Sequence, residues 1–275
     1  MLKKSVSLFN NLFPALQWTI SQRWFDFIST IDSGTAMLFM NYGYADLDPQ
    51  AQPLLLAPAD EDHRYSIQLY HHVAGSIDLT GADIIEIGCG RGGGVDYIQR
   101  YLKPDQTIGI DLSAKAVTFC NKYYDVAGLS FQRGNAEDLD FPDSSFDAVV
   151  NIESSICYQY VEKFFSEVER ILKPGGHFLY ADLRNRENIE NWESQLAEMD
   201  LEILSQKNIT PNVLAALDLD NDRKHALIKR YAPRILHKLF NEFAGVKGSR
   251  FFYTAFQNGD KEYRSYLFRK PLTAA

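Results

Sequence analysis

A glycine-rich turn with two acidic neighbours has the clearest potential for chemistry in this sequence. Gly88, Gly90 and Gly93 follow a short apolar run in the spacing G-x-G-x-x-G, and Asp111 follows further along the chain. Such glycines let the backbone approach a nucleotide, and a carboxylate placed there binds ribose hydroxyls. Alone, this spacing fits nicotinamide and flavin cofactors as well. Glu86, two residues before the first glycine, favours a cofactor that carries positive charge.

The elements around this turn alternate between short apolar runs and helical periodicity. Strands are predicted at 83–87, 107–111, 129–133, 146–151, 177–182, 201–204 and 262–268, with helices between most of them. This alternation is typical of parallel βαβ units, whose ligand crevice lies at the carboxyl ends of the strands. We therefore predict an α/β fold with a seven-stranded, mostly parallel Rossmann-like sheet and helices on both faces.

Two segments outside this pattern are predicted to form a helical cap over the crevice. One is the N-terminal segment 1–75, and the other is an insertion at about 206–258 within a nucleotide-binding domain spanning 76–275. Many aromatic residues belong to these segments: Phe25, Phe27, Phe39, Tyr42, Tyr44, Phe251, Phe252, Tyr253 and Phe256. Because small-molecule pockets are lined mainly by such side chains, they favour an apolar ligand, although core packing explains many of them equally well.

Two sets of motifs carry a resemblance to known proteins. The first is Glu86-Ile-Gly-Cys-Gly90, Gly109-Ile-Asp111, Gly134-Asn-Ala-Glu137, Phe146-Asp147 and Leu172-Lys-Pro-Gly-Gly176. Through these motifs the chain resembles the class I S-adenosylmethionine-dependent methyltransferases. The second is Leu69-Tyr-His71, Gly90-Arg-Gly-Gly-Gly94, Val150-Asn-Ile-Glu-Ser154, Cys157-Tyr158, Tyr180-Ala-Asp-Leu-Arg184 and Tyr263-Arg264. Through these it is similar to the phthiotriol/phenolphthiotriol dimycocerosate methyltransferases and related small-molecule O-methyltransferases.

The resemblance implies S-adenosylmethionine as cofactor and assigns residues to it. Those at the methionine end are Glu86, Gly88, Gly90 and the backbone carbonyl of Asn151. Those at the adenosine end are Asp111 on the ribose hydroxyls, and Leu112, Asn135 and Ala136 at the adenine. Tyr42 and Tyr44 match an aromatic motif that covers the cofactor. The family usually has Asp where this chain has Asn135, and an amide oxygen can still accept a hydrogen bond from the adenine amine.

The resemblance also implies transfer of a methyl group to a hydroxyl of an apolar natural product of lipid or polyketide type. The acceptor's proton must leave as the new bond forms. Related enzymes place histidines just after the fourth strand, but residues 153–158 contain none. We expect Asp182 to be the general base or to orient it, with His71 or His72 as the competing base. Carbon or nitrogen methylation, or a cyclase or binding module without methyl transfer, remain alternatives.

Composition and cysteine spacing limit the binding partners and the cellular location that we expect. A formal net charge of −8 disfavours nucleic-acid binding, which requires a positive surface. Cys89, Cys120 and Cys157 form no C-x-x-C pair, so neither disulfides nor a zinc site is indicated, and we expect a cytoplasmic protein without a metal. No apolar run is long enough to span a membrane. Residues 1–20 are predicted to form an amphipathic helix on their own domain, and a membrane contact there remains open. Neither the acceptor nor the oligomeric state follows from the sequence.

Overall fold

Seven strands form one sheet at the centre of the computed structural model, which describes residues 34–272. In chain order they are β1 (Asp83–Ile87), β2 (Gln106–Asp111), β3 (Leu129–Arg133), β4 (Phe146–Ile152), β5 (Leu172–Asn185), β6 (Glu202–Asn208) and β7 (Lys261–Arg269). Their order across the sheet is β3-β2-β1-β4-β5-β7-β6. Strand β7 runs antiparallel to β5 and β6, and the other pairs are parallel. The predicted seven-stranded, mostly parallel α/β sheet is confirmed.

Helices connect these strands. In chain order, those of the described residues are α1 (Arg64–Ala74), α2 (Gly93–Tyr97), α3 (Ala114–Tyr123), α4 (Val161–Ile171), α5 (Ile189–Ala197), α6 (Thr210–Leu219), α7 (Asn221–Tyr231), α8 (His237–Phe243) and α9 (Tyr253–Gln257). Short 3-10 turns lie at Pro58–His63, Ser155–Cys157, Arg186–Asn188 and Arg234–Leu236, and a π turn at Ile98–Leu102. Helices α6 to α9 come between β6 and β7 and form the helical cap of the described chain.

The start of α3 and the boundary between α4 and β5 have identifiable causes. The Ser113 side chain accepts a hydrogen bond from the Ala116 N–H and begins α3. Helix α4 ends at Ile171, and β5 starts directly after it rather than at residue 177. Leu172 already pairs with Phe146 of β4, and this pairing extends the strand backwards through a register shift. The proline and glycine residues that follow α4 end the helix, but here they lie within strand β5.

Two hydrophobic clusters cover the two faces of the sheet. Cap helices α6 and α9 pack with α1 on one face, where Val213, Tyr253 and Ile67 join the same cluster as Ile84 and Val150. Helices α4 and α5 cover the other face. Helices α6 and α9 therefore share a core with the sheet, whereas Ile228 of α7 and Phe240 of α8 belong to a separate, smaller cluster.

The predicted N-terminal helix at residues 1–20, together with Phe25 and Phe27, lies outside the described residues. Within residues 34–272, no helix is both long enough and apolar enough to cross a membrane.

Candidate cofactor and acceptor site

A cavity of about 820 Å³ opens at the carboxyl ends of β1, β2 and β4. One side, called the turn side, is lined by Gly88, Gly90, Asp111, Leu112, Asn135 and Ala136. The opposite side, called the cap side, is lined by Lys224, Leu227, Ile228, Tyr231, Phe240, Phe243 and Phe252. Ligand crevices of doubly wound sheets lie at this edge. The six residues of the turn side were all predicted from the sequence to bind the cofactor.

The glycine turn needs its glycines for both conformation and space. Gly88 and Gly90 have φ angles of +77° and +54°, in the left-handed region that favours glycine. A Cβ atom on Gly88 would lie 1.9 Å from Ser154 Oγ, so a larger residue fits only if Ser154 or the turn is displaced. The Gly90 N–H donates to Asp111 Oδ2 at 2.8 Å, and the Ser113 N–H donates to Asp111 Oδ1 at 2.8 Å. The Asp111 carboxylate is thereby held at the cavity wall.

Glu86 lies behind this turn and not on the cavity surface. It is fully buried, and the Tyr70 hydroxyl donates to its Oε1 at 2.6 Å. Burial raises the pKa of the Glu86 carboxyl to about 8, and its Oε2 has no hydrogen-bond partner among the described residues. A buried carboxyl with an unpartnered oxygen favours a cation nearby. The turn, Asp111 and Glu86 thus fit a nucleoside with a cationic tail.

The side chains of Asn135 and Asn151, two residues expected at the cofactor, form hydrogen bonds within the protein. The Asn135 Oδ1, expected at the adenine amine, accepts from the Glu137 N–H at 3.1 Å and closes its own turn. Asn151 is fully buried, and its side-chain amide donates to the Ile87 carbonyl at 2.7 Å and to the Tyr158 hydroxyl at 2.9 Å. Asn151 therefore ties the end of β4 to the glycine turn, and it does not line the cavity.

The two tyrosines of the aromatic motif, Tyr42 and Tyr44, lie in different places. Tyr42 lines the cavity, and its hydroxyl donates to the Phe243 carbonyl of the cap at 3.1 Å. Tyr44 instead stacks on His72 with ring centroids 4.3 Å apart and is absent from the cavity wall. Only Tyr42 of this pair is placed to contact a ligand in the cavity.

Glu153, which follows β4, joins the two sides of the cavity. Glu153 lines the cavity, and its Oε1 accepts a hydrogen bond from the Tyr42 N–H at 2.7 Å. Its neighbour Ser154 touches Gly88 on the turn side, and Tyr42 reaches Phe243 on the cap side. Glu153 has a φ of +52°, a left-handed conformation that is uncommon for a residue other than glycine and is concentrated at functional sites.

Burial determines the electrostatics of this carboxyl. Desolvation raises the pKa of Glu153 to about 8, and the Asp182 charge adds to that rise, while the Tyr42 N–H, the Tyr263 hydroxyl and, least of these, the Lys224 ammonium oppose it. Burial also lowers the pKa of Lys224 to about 8, and its Nζ donates to the Ala244 carbonyl at 3.1 Å. A carboxyl whose pKa lies near neutrality can accept and release a proton under working conditions.

Comparison with known proteins shows the family to which this chain belongs. Residues 85–180 match a family model described as a methyltransferase domain. The chain is 40% identical over 235 residues to the fatty-acid O-methyltransferase of Mycolicibacterium smegmatis, covering 86% of this chain and 84% of the relative. It is 38% identical over 247 residues to the phthiotriol/phenolphthiotriol dimycocerosates methyltransferase of Mycobacterium tuberculosis, covering 90% of each. The chain belongs to the S-adenosylmethionine-dependent methyltransferases.

A solved structure agrees with the fold of this methyltransferase. The geranyl diphosphate C-methyltransferase of Streptomyces coelicolor, solved with Mg²⁺, geranyl diphosphate and S-adenosyl-L-homocysteine, matches with a TM-score of 0.64. Sequence identity is 17%, and the match covers 92% of this chain and 98% of that chain. At this identity the likeness concerns the fold alone. Within residues 34–272 of this methyltransferase, no three His, Cys, Asp or Glu side chains are grouped to hold a metal ion.

The predicted position of Asp182 at the crevice mouth is wrong. Asp182 is fully buried and absent from the cavity wall. Its Oδ2 accepts from Ser155 Oγ at 2.6 Å and from the Ile156 N–H at 2.9 Å, and it pairs with Arg184 at 3.1 Å. With these partners Asp182 holds the turn directly after Glu153, so in this methyltransferase it positions the base candidate and does not reach a substrate.

Both cap histidines also lie away from the cavity. Ser66 and Tyr70 of α1 line it, and His71 follows Tyr70 about 100° around the helix. The His71 Nδ1 is 2.8 Å from the Tyr97 hydroxyl, and the His72 Nε2 is 3.2 Å from Ser265 Oγ. Burial lowers the pKa of both rings, that of His72 to about 4. Neither histidine is positioned to take a proton from a ligand.

Glu153 and Lys224 are the functional candidates that sequence reasoning did not assign to the reaction. The signal that was available for Glu153 is its place directly after the fourth strand, the position where related enzymes carry histidine. Nothing in the sequence singles out Lys224, because its role depends on how α7 folds back over the strand ends.

Replacing Asp182 by asparagine tests the positioning role. We expect the variant to lose about 3 kcal/mol of stability, because Arg184 remains buried without a charged partner. The measurement is the free energy of unfolding in urea, with Asp125→Asn, an exposed aspartate, as the control. Unchanged stability together with abolished turnover would contradict the structural assignment and return Asp182 to the role of base.

Proposed function

We propose that this methyltransferase transfers a methyl group from S-adenosylmethionine to a hydroxyl oxygen of an apolar small molecule, of lipid or polyketide type. The observation that carries the proposal is the Glu153 carboxyl, which lies where the turn side and the cap side of the cavity meet. The names of the two relatives specify a fatty acid and phthiotriol, and both belong to the class of oxygenated lipids. We propose only this class of substrate, and neither named compound, for this methyltransferase.

The turn side supports cofactor binding. S-adenosylmethionine supplies a methyl group attached to a sulfonium, which an acceptor oxygen can attack in line. Asp111 would bind the ribose hydroxyls, and Leu112 with Ala136 would contact the adenine. Glu86 lies close behind the turn, and a bound cation would favour its ionised form. The glycines leave room for the methionine end to approach the backbone.

The cap side supports an apolar acceptor. Its aromatic and aliphatic residues, Leu227, Ile228, Tyr231, Phe240 and Phe252, exclude water from the acceptor chain. Holding the acceptor oxygen close to the methyl carbon supplies most of the rate enhancement in a displacement of this kind. Glu153 would take the hydroxyl proton as the new carbon–oxygen bond forms. The Tyr42 N–H fixes the orientation of the carboxylate that receives it.

The release of S-adenosylhomocysteine with matched acceptors tests this function. We expect release with a long-chain secondary alcohol or fatty acid and none with the corresponding methyl ether or methyl ester, whose oxygen is already capped. Equal release with capped acceptors would contradict hydroxyl methylation. Cofactor binding without release with any acceptor would favour a cyclase or binding module.

The pH dependence of turnover provides a test of Glu153 and Lys224 together. Glu153 must be ionised to accept a proton, so kcat/KM should rise with pH, with the midpoint of the rise near 8. Lys224→Met removes a cation that favours the ionised carboxylate, so the pKa of Glu153 rises and the ascending limb moves to higher pH. The control is Lys163→Met on the exposed surface of α4, which should leave the profile unchanged. A limb that stays in place in Lys224→Met would contradict the coupling.

A further inference from the structure

Basic residues are concentrated in one part of the cap. Residues 223–250 contain eight Lys or Arg and one acidic residue, whereas the whole chain carries a net charge of −8. The reaction proposed above uses Lys224 from this segment, and Arg223 is paired with Asp220 at 2.6 Å. The remaining cations of the segment have no part in that reaction, and their concentration in an acidic chain needs another explanation.

Four basic side chains surround a second cavity of about 510 Å³ between α7 and α8. They are His225, Lys229, Arg234 and His237, and Ile228 and Asn241 complete the wall. Among residues 34–272, no acidic side chain lines this groove, and Lys229 and Arg234 are exposed to solvent. Ile228 also lines the main cavity, so the basic groove lies directly outside the cap side. A groove of this composition attracts anionic groups.

An exposed apolar stripe runs beside the basic groove. Ile235 is 89% exposed, and Leu239 and Phe243 are each 43% exposed. Their spacing of four residues along the 3-10 turn and α8 places them on one side of the helical segment. Phe243 also lines the main cavity, so the cavity reaches the surface at the end of this stripe. Lys238 is exposed next to Leu239.

We propose that this cap face, defined by Lys229, Arg234, Ile235, Lys238 and Leu239, docks on an anionic lipid bilayer. Lipid phosphates would occupy the basic groove, and Ile235 and Leu239 would enter the boundary between headgroups and acyl chains. A bilayer matches this face because it presents anionic and apolar groups together, whereas a nucleic acid offers no partner for the exposed stripe. Docking brings the Phe243 end of the cavity to the membrane, where an apolar acceptor can enter without crossing water.

Binding to vesicles tests the proposal without cofactor or acceptor, so its failure is distinguishable from failure of the proposed reaction. The probes are phosphatidylcholine vesicles with and without 30% phosphatidylglycerol, measured by flotation at low and high salt. We expect binding to the anionic vesicles alone, weakened by salt. Each basic residue near an anionic membrane strengthens partitioning by about fivefold. Partitioning into the anionic vesicles should therefore fall at least 100-fold in the triple variant Lys229→Glu/Arg234→Glu/Lys238→Glu.

Matched controls separate the cap face from general charge and hydrophobicity. The first control makes the same change in charge at exposed sites elsewhere, in the triple variant Lys122→Glu/Lys163→Glu/Lys207→Glu. Its binding to anionic vesicles should fall far less. Ile235→Ser/Leu239→Ser should weaken binding at high salt, whereas Ile203→Ser/Leu204→Ser, on the exposed edge strand β6, should not.

Circular dichroism should show every variant folded. Failure of the unchanged protein to bind anionic vesicles, or cap-face variants that bind like their controls, would overturn the proposal. Binding to heparin without binding to vesicles would replace the bilayer by a soluble polyanion.

Discussion

Replacing Glu153 by glutamine should lower kcat by about 10² to 10⁴-fold, the range that a general base contributes. Glutamine keeps the shape of the side chain and can still accept from the Tyr42 N–H through its amide oxygen. It cannot receive the acceptor's proton. The residual rate should also lose the pH dependence that centres near 8 in the unchanged protein.

Binding and stability measurements give this variant its controls. Calorimetric affinity for S-adenosylhomocysteine should change little, because Glu153 is not among the residues proposed to hold the adenosine. The Tm should stay close to that of the unchanged protein, or rise slightly, because a buried ionisable group is replaced by a neutral one. Turnover within threefold of normal, with an unchanged pH profile, would show that another group takes the proton.

Replacing Asp111 by alanine, which removes the acceptor for both ribose hydroxyls, should weaken cofactor binding by about 10² to 10⁴-fold. Each hydrogen bond from a ribose hydroxyl to a carboxylate contributes about 1.5 to 3 kcal/mol, and every 1.4 kcal/mol corresponds to tenfold in Kd. The same substitution removes the acceptor for the Gly90 and Ser113 N–H groups and so loosens the glycine turn. The measurement is the Kd for S-adenosylmethionine by calorimetry.

The Asp111 prediction has two comparisons. Asp125→Ala changes an exposed aspartate just after α3 and should leave the Kd unchanged. Asp111→Asn keeps one oxygen acceptor for the turn and should lie between the alanine variant and the unchanged protein. Affinities that match in all four proteins would remove Asp111 from the cofactor site.

The sheet was predictable because its signals are local. Short β-branched runs such as Ile84 and Ile85 in β1 and Val149 and Val150 in β4 are buried on both faces, as central parallel strands require. The glycine turn could also be located from sequence, because only glycine tolerates its φ values and its close approach to Ser154. These features depend on a few neighbouring residues.

The acceptor side was not predictable in the same way. Asp182 and Glu153 are both acids near strand ends, and the sequence does not tell which one faces the cavity. The difference arises from partners distant in the chain, since Ser155 and Ile156 bind the carboxylate of Asp182, whereas the Tyr42 N–H binds that of Glu153. Likewise His71 points away because Tyr70 occupies the cavity face of α1. Long-range packing decides such roles.

The position of a labelled methyl group tests the central claim most directly. The protein would be incubated with S-adenosylmethionine carrying a trideuterated methyl group and a long-chain molecule that bears both a hydroxyl and an amino group. Mass spectrometry and NMR of the product then locate the label. We predict a trideuteromethyl ether, formed by the unchanged protein and strongly reduced in Glu153→Gln. A label on nitrogen or carbon, or no labelled product under conditions where the cofactor binds, would contradict the account.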